Sequence, residues 1–317
     1  MINHNNDEFH PVFIVGNPRS GTTLTAVLLD RHSRIAVPPE TNFFNMFLPT
    51  IHKQDKLDHE TMTHFTLRSD RINDLGLEAE NVLKHFKHYK LSVYNLFRVI
   101  LEEYTKSRGK FRPGEKSPMH IQHVDEIIKL YPHAKVICVM RDGRDVVNSI
   151  LNTWGDKELS RRIEWLSVKW AQNARLAVKY ANKYPDRFII IKFESLLRNP
   201  ESELRKICNF IGEEYELSLL NSSYGDSNTI PDWEYEWKGK SNQELDVSRI
   251  EAWRKNNNIK QICVMNALMG GMLRKFGYRD TSLYGCPWPL RLRLVGTRLV
   301  FRPILRKLFK ALVRNPV

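Results

Sequence analysis

The stretch Val12-Phe13-Ile14-Val15-Gly16-Asn17-Pro18-Arg19-Ser20-Gly21-Thr22-Thr23 constrains this chain more than any other. An apolar run suited to a buried strand meets a turn of Gly, Asn and Pro, and the helix-forming run Leu24–Leu29 follows. Strand, tight loop and helix in that order place free backbone N–H groups at the positive end of a helix, where an anion binds. Gly16 and Gly21 permit close backbone approach, and Ser20, Thr22 and Thr23 add hydroxyls. The spacing is G-x-x-x-x-G-T-T. A nucleoside-triphosphate loop carries Lys where Thr22 stands. Here the cation is Arg19, inside the loop, which points to a phosphate-like group other than the end of ATP.

Further along, Arg34–Val37 reads as a short strand stopped by Pro38 and Pro39, and a helical stretch begins at Thr41–Phe44. Residues 51–108 mix Leu, Phe, Tyr, His and Lys at helical spacing and are expected to form a helical insertion, broken at Gly76. Lys110–Pro118 reads as a turn-rich junction. It leads into a helix with Ile121, Val124, Ile127, Ile128 and Leu130 on one face, ended by Tyr131-Pro132. Lys135–Met140 is a buried-type strand followed at once by Arg141-Asp142-Gly143-Arg144-Asp145 and a helix. A long amphipathic helix carries Ile163, Leu166, Trp170, Ala174 and Ala177 on one stripe, and Arg187–Lys192 is another strong strand. Helices after Pro200 and over residues 259–276 complete the pattern. Strands alternating with helices argue an α/β fold, with a central parallel sheet flanked by helices in three layers. The expected organisation is one domain over 1–287 and a basic amphipathic tail over 288–317.

Composition narrows the function classes. Hydrophobic residues at 42% and charged residues at 27% suit a folded soluble domain. No run of about 18 or more apolar residues appears, and Met1–His10 lacks the form of a signal peptide. The four cysteines, Cys138, Cys208, Cys263 and Cys286, are widely spaced and form no C-x-x-C pair. They read as reduced thiols with no metal site, which implies a cytoplasmic protein. The scattered histidines His52, His59, His64, His85 and His88 read as solvated or core residues, because no H-x-x-x-H stands beside an acidic partner. Residues 288–317 hold eight Lys/Arg and no Asp or Glu, and removing them takes the formal net charge from +13 to about +5. Most of the basic character therefore belongs to the tail. No recognition motif accompanies it, so nucleic acid is not an expected partner.

In open parallel sheets, ligands sit beyond the C-terminal ends of the strands. Three such ends carry chemistry: the loop Asn17–Thr23, the carboxylate Glu40 after Pro38-Pro39, and the run Arg141–Asp145 with Ser149 further into its helix. An Arg and a Ser eight residues apart can reach one phosphate from a loop and the following helix. Each residue alone has a plainer explanation. Arg141 and Arg144 can form surface ion pairs with Asp142 or Asp145, Glu40 can serve a helix N-terminus beside Thr41, and Lys116 can be an exposed loop lysine. Placed together at strand ends, they favour a site.

This set of motifs resembles the sulfotransferases that use 3′-phosphoadenosine 5′-phosphosulfate (PAPS), over roughly residues 11–275. P-R-S-G-T-T, residues 18–23, is similar to their 5′-phosphosulfate loop. R-D-G-R-D-V-V-N-S, residues 141–149, is similar to their 3′-phosphate element. Pro39-Glu40-Thr41 matches the base position of the branch that includes tyrosylprotein and heparan sulfotransferases, and Glu115-Lys116-Ser117-Pro118 resembles that branch's lysine segment. Ile191–Leu196 with Asn199-Pro200 resembles a later signature, with Phe193 where Tyr is usual. The resemblance implies a P-loop-like fold, PAPS as co-substrate, and no metal. It also implies Arg19, Ser20, Gly21, Thr22, Thr23, Arg141 and Ser149 at the nucleotide, with Glu40 and Lys116 as catalytic residues. Asp142, the one candidate for a metal-binding Asp, is flanked by Arg141 and Arg144.

The acceptor is expected to bear a hydroxyl, whether on carbohydrate, lipid, a small alcohol or peptidyl tyrosine. Lys240 and Ser241, after the aromatic run Trp233–Trp237, are candidates for a segment that closes over the nucleotide by resemblance. In the tail, Ile304, Leu305, Leu308, Phe309 and Leu312 alternate with Arg306, Lys307 and Lys310, a pattern able to lie on an anionic membrane surface. The rival readings are a nucleotide kinase or NTPase, and a non-catalytic protein that binds anionic membranes.

Overall fold

The computed structural model describes residues 9–46, 58–154, 159–221, 230–231, 245–280 and 286. Lys240, Ser241 and the tail 288–317 lie outside them. The chain divides into two compact units, one of residues 1–140 and 176–247, the other of residues 141–175 and 248–317.

The first unit holds a five-stranded parallel sheet in the order β2-β3-β1-β4-β5. Its strands are β1 (Val12–Gly16), β2 (Ile35–Ala36), β3 (Arg112–Lys116), β4 (Lys135–Met140) and β5 (Phe188–Lys192). β1, β4 and β5 are near-continuous apolar runs, as strands covered on both faces must be. β1 pairs with β4 over its whole length, from Val12 opposite Lys135 to Gly16 opposite Val139, and β4 carries β5 from Val136 opposite Phe188. Parallel neighbours need crossovers, and helices supply them. Helix α1 (Thr22–Asp30) packs on the sheet after β1. This is the α/β architecture expected from the alternation of strands and helices.

β3 is the element the sequence reading missed. Pro113-Gly114 reads as a turn, yet both residues lie within a strand in the sheet interior. The pairing explains how this is possible. β3 meets β2 only at Arg112 and Pro113, then meets β1 at Gly114, Glu115 and Lys116. Proline, which has no N–H to donate, sits where one neighbour gives way to the other. Glycine is needed next, because a Cβ on Gly114 would stand 2.7 Å from Val37 Cγ2 and 2.9 Å from the Ala36 carbonyl oxygen. Lys116 is therefore no exposed loop lysine; it is fully buried at the end of β3.

Between β2 and β3 run the helices Phe43–Met46, His59–Leu67, Asp70–Asn73, Ala79–Phe86 and Val93–Ser107. Asp58 and Ser92 cap two of them by accepting the N–H of Thr61 and Tyr94. A left-handed Gly76, φ +63°, follows the Asp70–Asn73 turn. The insertion expected over 51–108 is helical in its described part.

The second unit contains the helices Gly143–Trp154, Trp253–Asn256 and Ile259–Lys275, together with the first part of Leu159–Lys183. Here one expectation is corrected. Cys263 and Cys286 form a disulfide with a Cα–Cα distance of 5.9 Å, so these two are not reduced thiols. A separation of 23 residues carries no pairing signal in sequence; only the fold brings the two sulfurs together. Cys138 and Cys208 are buried free thiols. Burial pushes the Cys208 thiol up to about 11, with Glu213 and Glu216 adding to it, which keeps it unreactive. Among the described residues no helix is long and apolar enough to cross a membrane.

Candidate active site

The loop after β1 has the geometry of an anion cradle. Gly21 stands at the N-cap of α1 in left-handed backbone, φ +101°, and no side chain caps the helix. By helix geometry the first N–H groups of α1 find no acceptor within the helix. No acidic residue lies in that first turn to compete for them. Arg19 is also left-handed, φ +66°, which a non-glycine residue adopts at a cost of about 1–2 kcal/mol. The turn is tied by Ser20 N–H to the Asn17 carbonyl oxygen at 3.1 Å. Ser20 is fully buried, and its hydroxyl has no hydrogen-bond partner among the described residues. Thr22 is buried and Thr23 half-buried on the first turn of α1. The Phe193 ring, at the start of the helix after β5, lies so close over Gly21 that a Cβ there would meet it at 2.2 Å. Phenylalanine at this position packs as a wall of the loop.

Glu40 and Lys116 are in contact, with Lys116 Nζ 2.9 Å from Glu40 Oε2. Asn42 Nδ2 donates to the other carboxylate oxygen at 3.0 Å. Glu40 sits just past Pro38-Pro39, which end the β2 segment. Lys116 reaches it from the end of β3, whose neighbour β1 places Ile14 opposite Lys116. The cradle after β1 and the Glu40–Lys116 pair thus lie at the C-terminal ends of adjacent parallel strands, where open sheets bind their ligands.

Behind this pair lies a buried polar cluster. Glu115 accepts from Thr41 Oγ1 at 2.9 Å and from Ser117 Oγ at 2.6 Å, and pairs with His120 Nδ1 at 2.9 Å. All four residues are fully buried. In sequence, Glu115 and Ser117 are only the flanks of Lys116, and nothing marks His120. The available signal was charge inside a strand: a buried Glu and Lys on successive strand positions each require a partner.

In the second unit, Arg141 and Ser149 occupy the turn before helix Gly143–Trp154 and its second turn. Arg141 is buried, and its Nη2 donates to the Arg249 carbonyl oxygen at 2.7 Å. Ser149 is half-buried, and its carbonyl oxygen accepts from Thr153 Oγ1. Arg144 behaves differently. It forks onto Asp142 with Nε to Oδ1 at 3.0 Å and Nη2 to Oδ2 at 2.7 Å, and its guanidinium lies 3.8 Å from the Trp253 ring centroid. The ion pair foreseen for Arg144 exists, but it is buried rather than on the surface. Asp142 is committed to that arginine. Gly143 allows the helix to start here, since a Cβ would stand 2.5 Å from both Met269 and Trp170.

The family model described as "Sulfotransferase family" matches residues 11–216, a span that contains the cradle, Glu40, Lys116, Arg141 and Ser149. The chain belongs to the sulfotransferase family. Its class of chemistry is sulfuryl transfer. The protein-tyrosine sulfotransferase of Drosophila melanogaster is 26% identical over 222 residues, covering 68% of this chain and 40% of that one. Nodulation protein NoeE of Sinorhizobium fredii is 23% identical over 302 residues, covering 85% of this chain and 66% of that one. The sulfotransferase thus spans two thirds or less of these two relatives. Among solved structures, the sulfotransferase domain of the Synechococcus PCC 7002 olefin synthase superposes with a TM-score of 0.60 at 19% identity. It covers 87% of this chain and 97% of the domain, a likeness of fold.

Proposed function

We propose that this sulfotransferase moves a sulfuryl group from PAPS to an acceptor hydroxyl, with Glu40 as general base and Lys116 and Arg19 stabilising developing charge. The observation that carries the reading is the 2.9 Å contact between a carboxylate and a buried ammonium beside a cradle that has an uncapped helix and no acid of its own. The cradle fits the phosphosulfate end of such a donor. Among the described residues the buried Ser20 hydroxyl has no partner and no side chain caps the α1 N-terminus, and a side chain on Gly21 would fill the space beside Phe193. The donor supplies an activated sulfuryl group on a phosphate leaving group.

The chain's own residues supply the rest. Glu40 accepts the acceptor's proton, a role that contributes about 10²–10⁴-fold. Lys116 holds the Glu40 carboxylate in place and brings a positive charge to anionic oxygens nearby. Charge-assisted hydrogen bonds of that kind contribute about 1.5–3 kcal/mol each. Arg19 adds a cation from within the loop, and Ser20, Thr22 and Thr23 add hydroxyl donors. Arg141 and Ser149 are the candidates for the 3′-phosphate. A sulfuryl group carries less charge than a terminal phosphoryl group, so the mechanism needs no metal.

The relative named for protein tyrosine supports a tyrosyl peptide as the first acceptor to offer with labelled PAPS, ahead of carbohydrate, lipid and small-alcohol hydroxyls. Transfer without added metal is expected, with Glu40→Gln lowering kcat by at least about 100-fold. Its affinity for adenosine 3′,5′-bisphosphate should be unchanged. Magnesium-dependent ATP turnover with no PAPS binding overturns the reading in favour of a kinase. Full activity in Glu40→Gln removes the base from Glu40.

A further inference from the structure

We infer that Glu115 is a positioning residue for Glu40, acting through Thr41, Ser117 and His120. The inference rests on the reading of Glu40 as the base. Its foundation is the destination of three consecutive backbone N–H groups. Asn42 N–H donates to Ser117 Oγ at 2.8 Å, Phe43 N–H to Thr41 Oγ1 at 3.2 Å, and Phe44 N–H to His120 Nε2 at 3.1 Å. Those same three side chains converge on one carboxylate, that of Glu115.

The proton directions are then fixed. Each hydroxyl accepts from an amide and donates onward to Glu115. His120 accepts at Nε2, so it is the neutral Nδ1–H tautomer and donates at Nδ1. An ionised carboxylate, with two oxygens and no proton, is the side chain that can take all three donors. The backbone that follows Glu40 is therefore anchored to a single buried group.

Strand geometry links this anchor to the reacting pair. Successive side chains on a strand point to opposite faces. Glu115 grips the segment through its main chain, while Lys116 on the other face grips it through the Glu40 carboxylate. Asn42 joins the two grips. It is left-handed, φ +49°, its N–H is held by Ser117, and its Nδ2 donates to Glu40 Oε1. Asparagine tolerates that conformation better than other non-glycine residues, and here its N–H and Nδ2 bonds hold it there. Loosening the Glu115 cluster lets Asn42 relax and carries Glu40 away from its working position. A misplacement of about 1 Å can cost on the order of 100-fold in rate.

Glu115→Gln is the direct variant, but its NH2 would face at least one of the donors now shared between the two carboxylate oxygens, which puts the fold itself at risk. Thr41→Val keeps the shape and removes one hydroxyl from the cluster; Thr41→Ser keeps the hydroxyl. On folded protein at saturating PAPS, Thr41→Val should lower kcat by about 10–100-fold. Its acceptor KM and its Kd for adenosine 3′,5′-bisphosphate should stay at wild-type values, and Thr41→Ser should restore kcat. A Thr41→Val protein that keeps wild-type kcat overturns the inference, as does a Thr41→Ser protein that falls equally far. Glu40→Gln in the same assay separates the two ideas. Loss there with no loss in Thr41→Val rejects only the positioning role, whereas no loss in Glu40→Gln rejects the base reading itself.

Discussion

Two buried carboxylate clusters, one on β3 and one at the head of helix Gly143–Trp154, are satisfied by opposite means. Among the described residues, Glu115 is answered by neutral donors: two hydroxyls and a neutral imidazole. Asp142 is answered by the charged fork of Arg144, which also donates to the carbonyl oxygens of Arg279 and Asp280. The neighbouring Asp145 accepts the N–H groups of Glu251 and Trp253, both at 2.9 Å. The first arrangement fixes a backbone without engaging the cation beside it, so Lys116 is left to meet Glu40. The second commits Arg144 to holding the segments around residues 253 and 280. Two arginines three residues apart, which look alike in R-D-G-R-D, therefore do different work. Arg144 is an anchor of its own unit, and Arg141 stays the candidate for the nucleotide.

The contrast can be broken most directly at its charged end. Arg144→Met strips the partner from a buried Asp142, and the expected loss is about 3–5 kcal/mol in urea denaturation. Ser117→Ala removes one neutral donor from Glu115 and should cost only about 1–3 kcal/mol. Equal losses in the two variants would mean that the clusters are not different in kind.

A pH series sharpens the same point at Asp145. Burial pushes its carboxyl up from 3.8 to about 6, with the Asp142 charge adding to burial while Arg141 and the two N–H groups oppose it. The folded state therefore holds this proton more tightly than the unfolded chain. The resulting stability is fully present below about pH 4 and is lost as pH rises through about 6. Asp145→Asn lacks that dependence, so its melting temperature relative to wild type should climb between pH 4 and 6 and then level. A difference that stays flat across this range removes the argument.

The smallest effect belongs to an exposed cluster. Burial is the largest single influence on Asp125 and raises it, but hydrogen bonds from Lys179, Lys183 and Tyr184, each 2.7 Å, together outweigh it and hold the carboxyl down at about 2. Its contribution is present above about pH 4 and disappears as pH falls through about 2. Solvent screens such pairs, so Asp125→Asn should cost less than about 1 kcal/mol at neutral pH. The cost should shrink further in salt; one that persists at high salt contradicts the screening.

What could be read in the sequence follows the same division. β1, β4 and β5 announce themselves because buried parallel strands are apolar runs, and the cradle because glycines and hydroxyls bracket a strand-to-helix turn. β3 hides because its strand identity comes from its neighbours: a proline where pairing changes sides, a glycine under Val37, and two charges that have partners only in the folded state. Glu40 and Lys116 could be picked as strand-end residues, but their contact depends on that hidden strand. The Glu115 cluster was out of reach, since its members stand at 41, 115, 117 and 120 and share no periodicity. The Cys263–Cys286 bond was unreadable for the same reason.

The hydrogen bonds between Thr41 and Glu115 and between Phe44 and His120 close chain loops of 74 and 76 residues. Almost everything inside those loops is the helical insertion. The entropy of closing a flexible loop grows only logarithmically with length, about 0.6 kcal/mol for each doubling. The outer helices His59–Leu67 and Ala79–Phe86 can therefore change length while the clasp keeps its geometry, whereas Val93–Ser107 is held to it, because its Phe97 stacks on Phe43 at 4.0 Å. The chain separates a part that has to stay fixed from a part that is free to diversify.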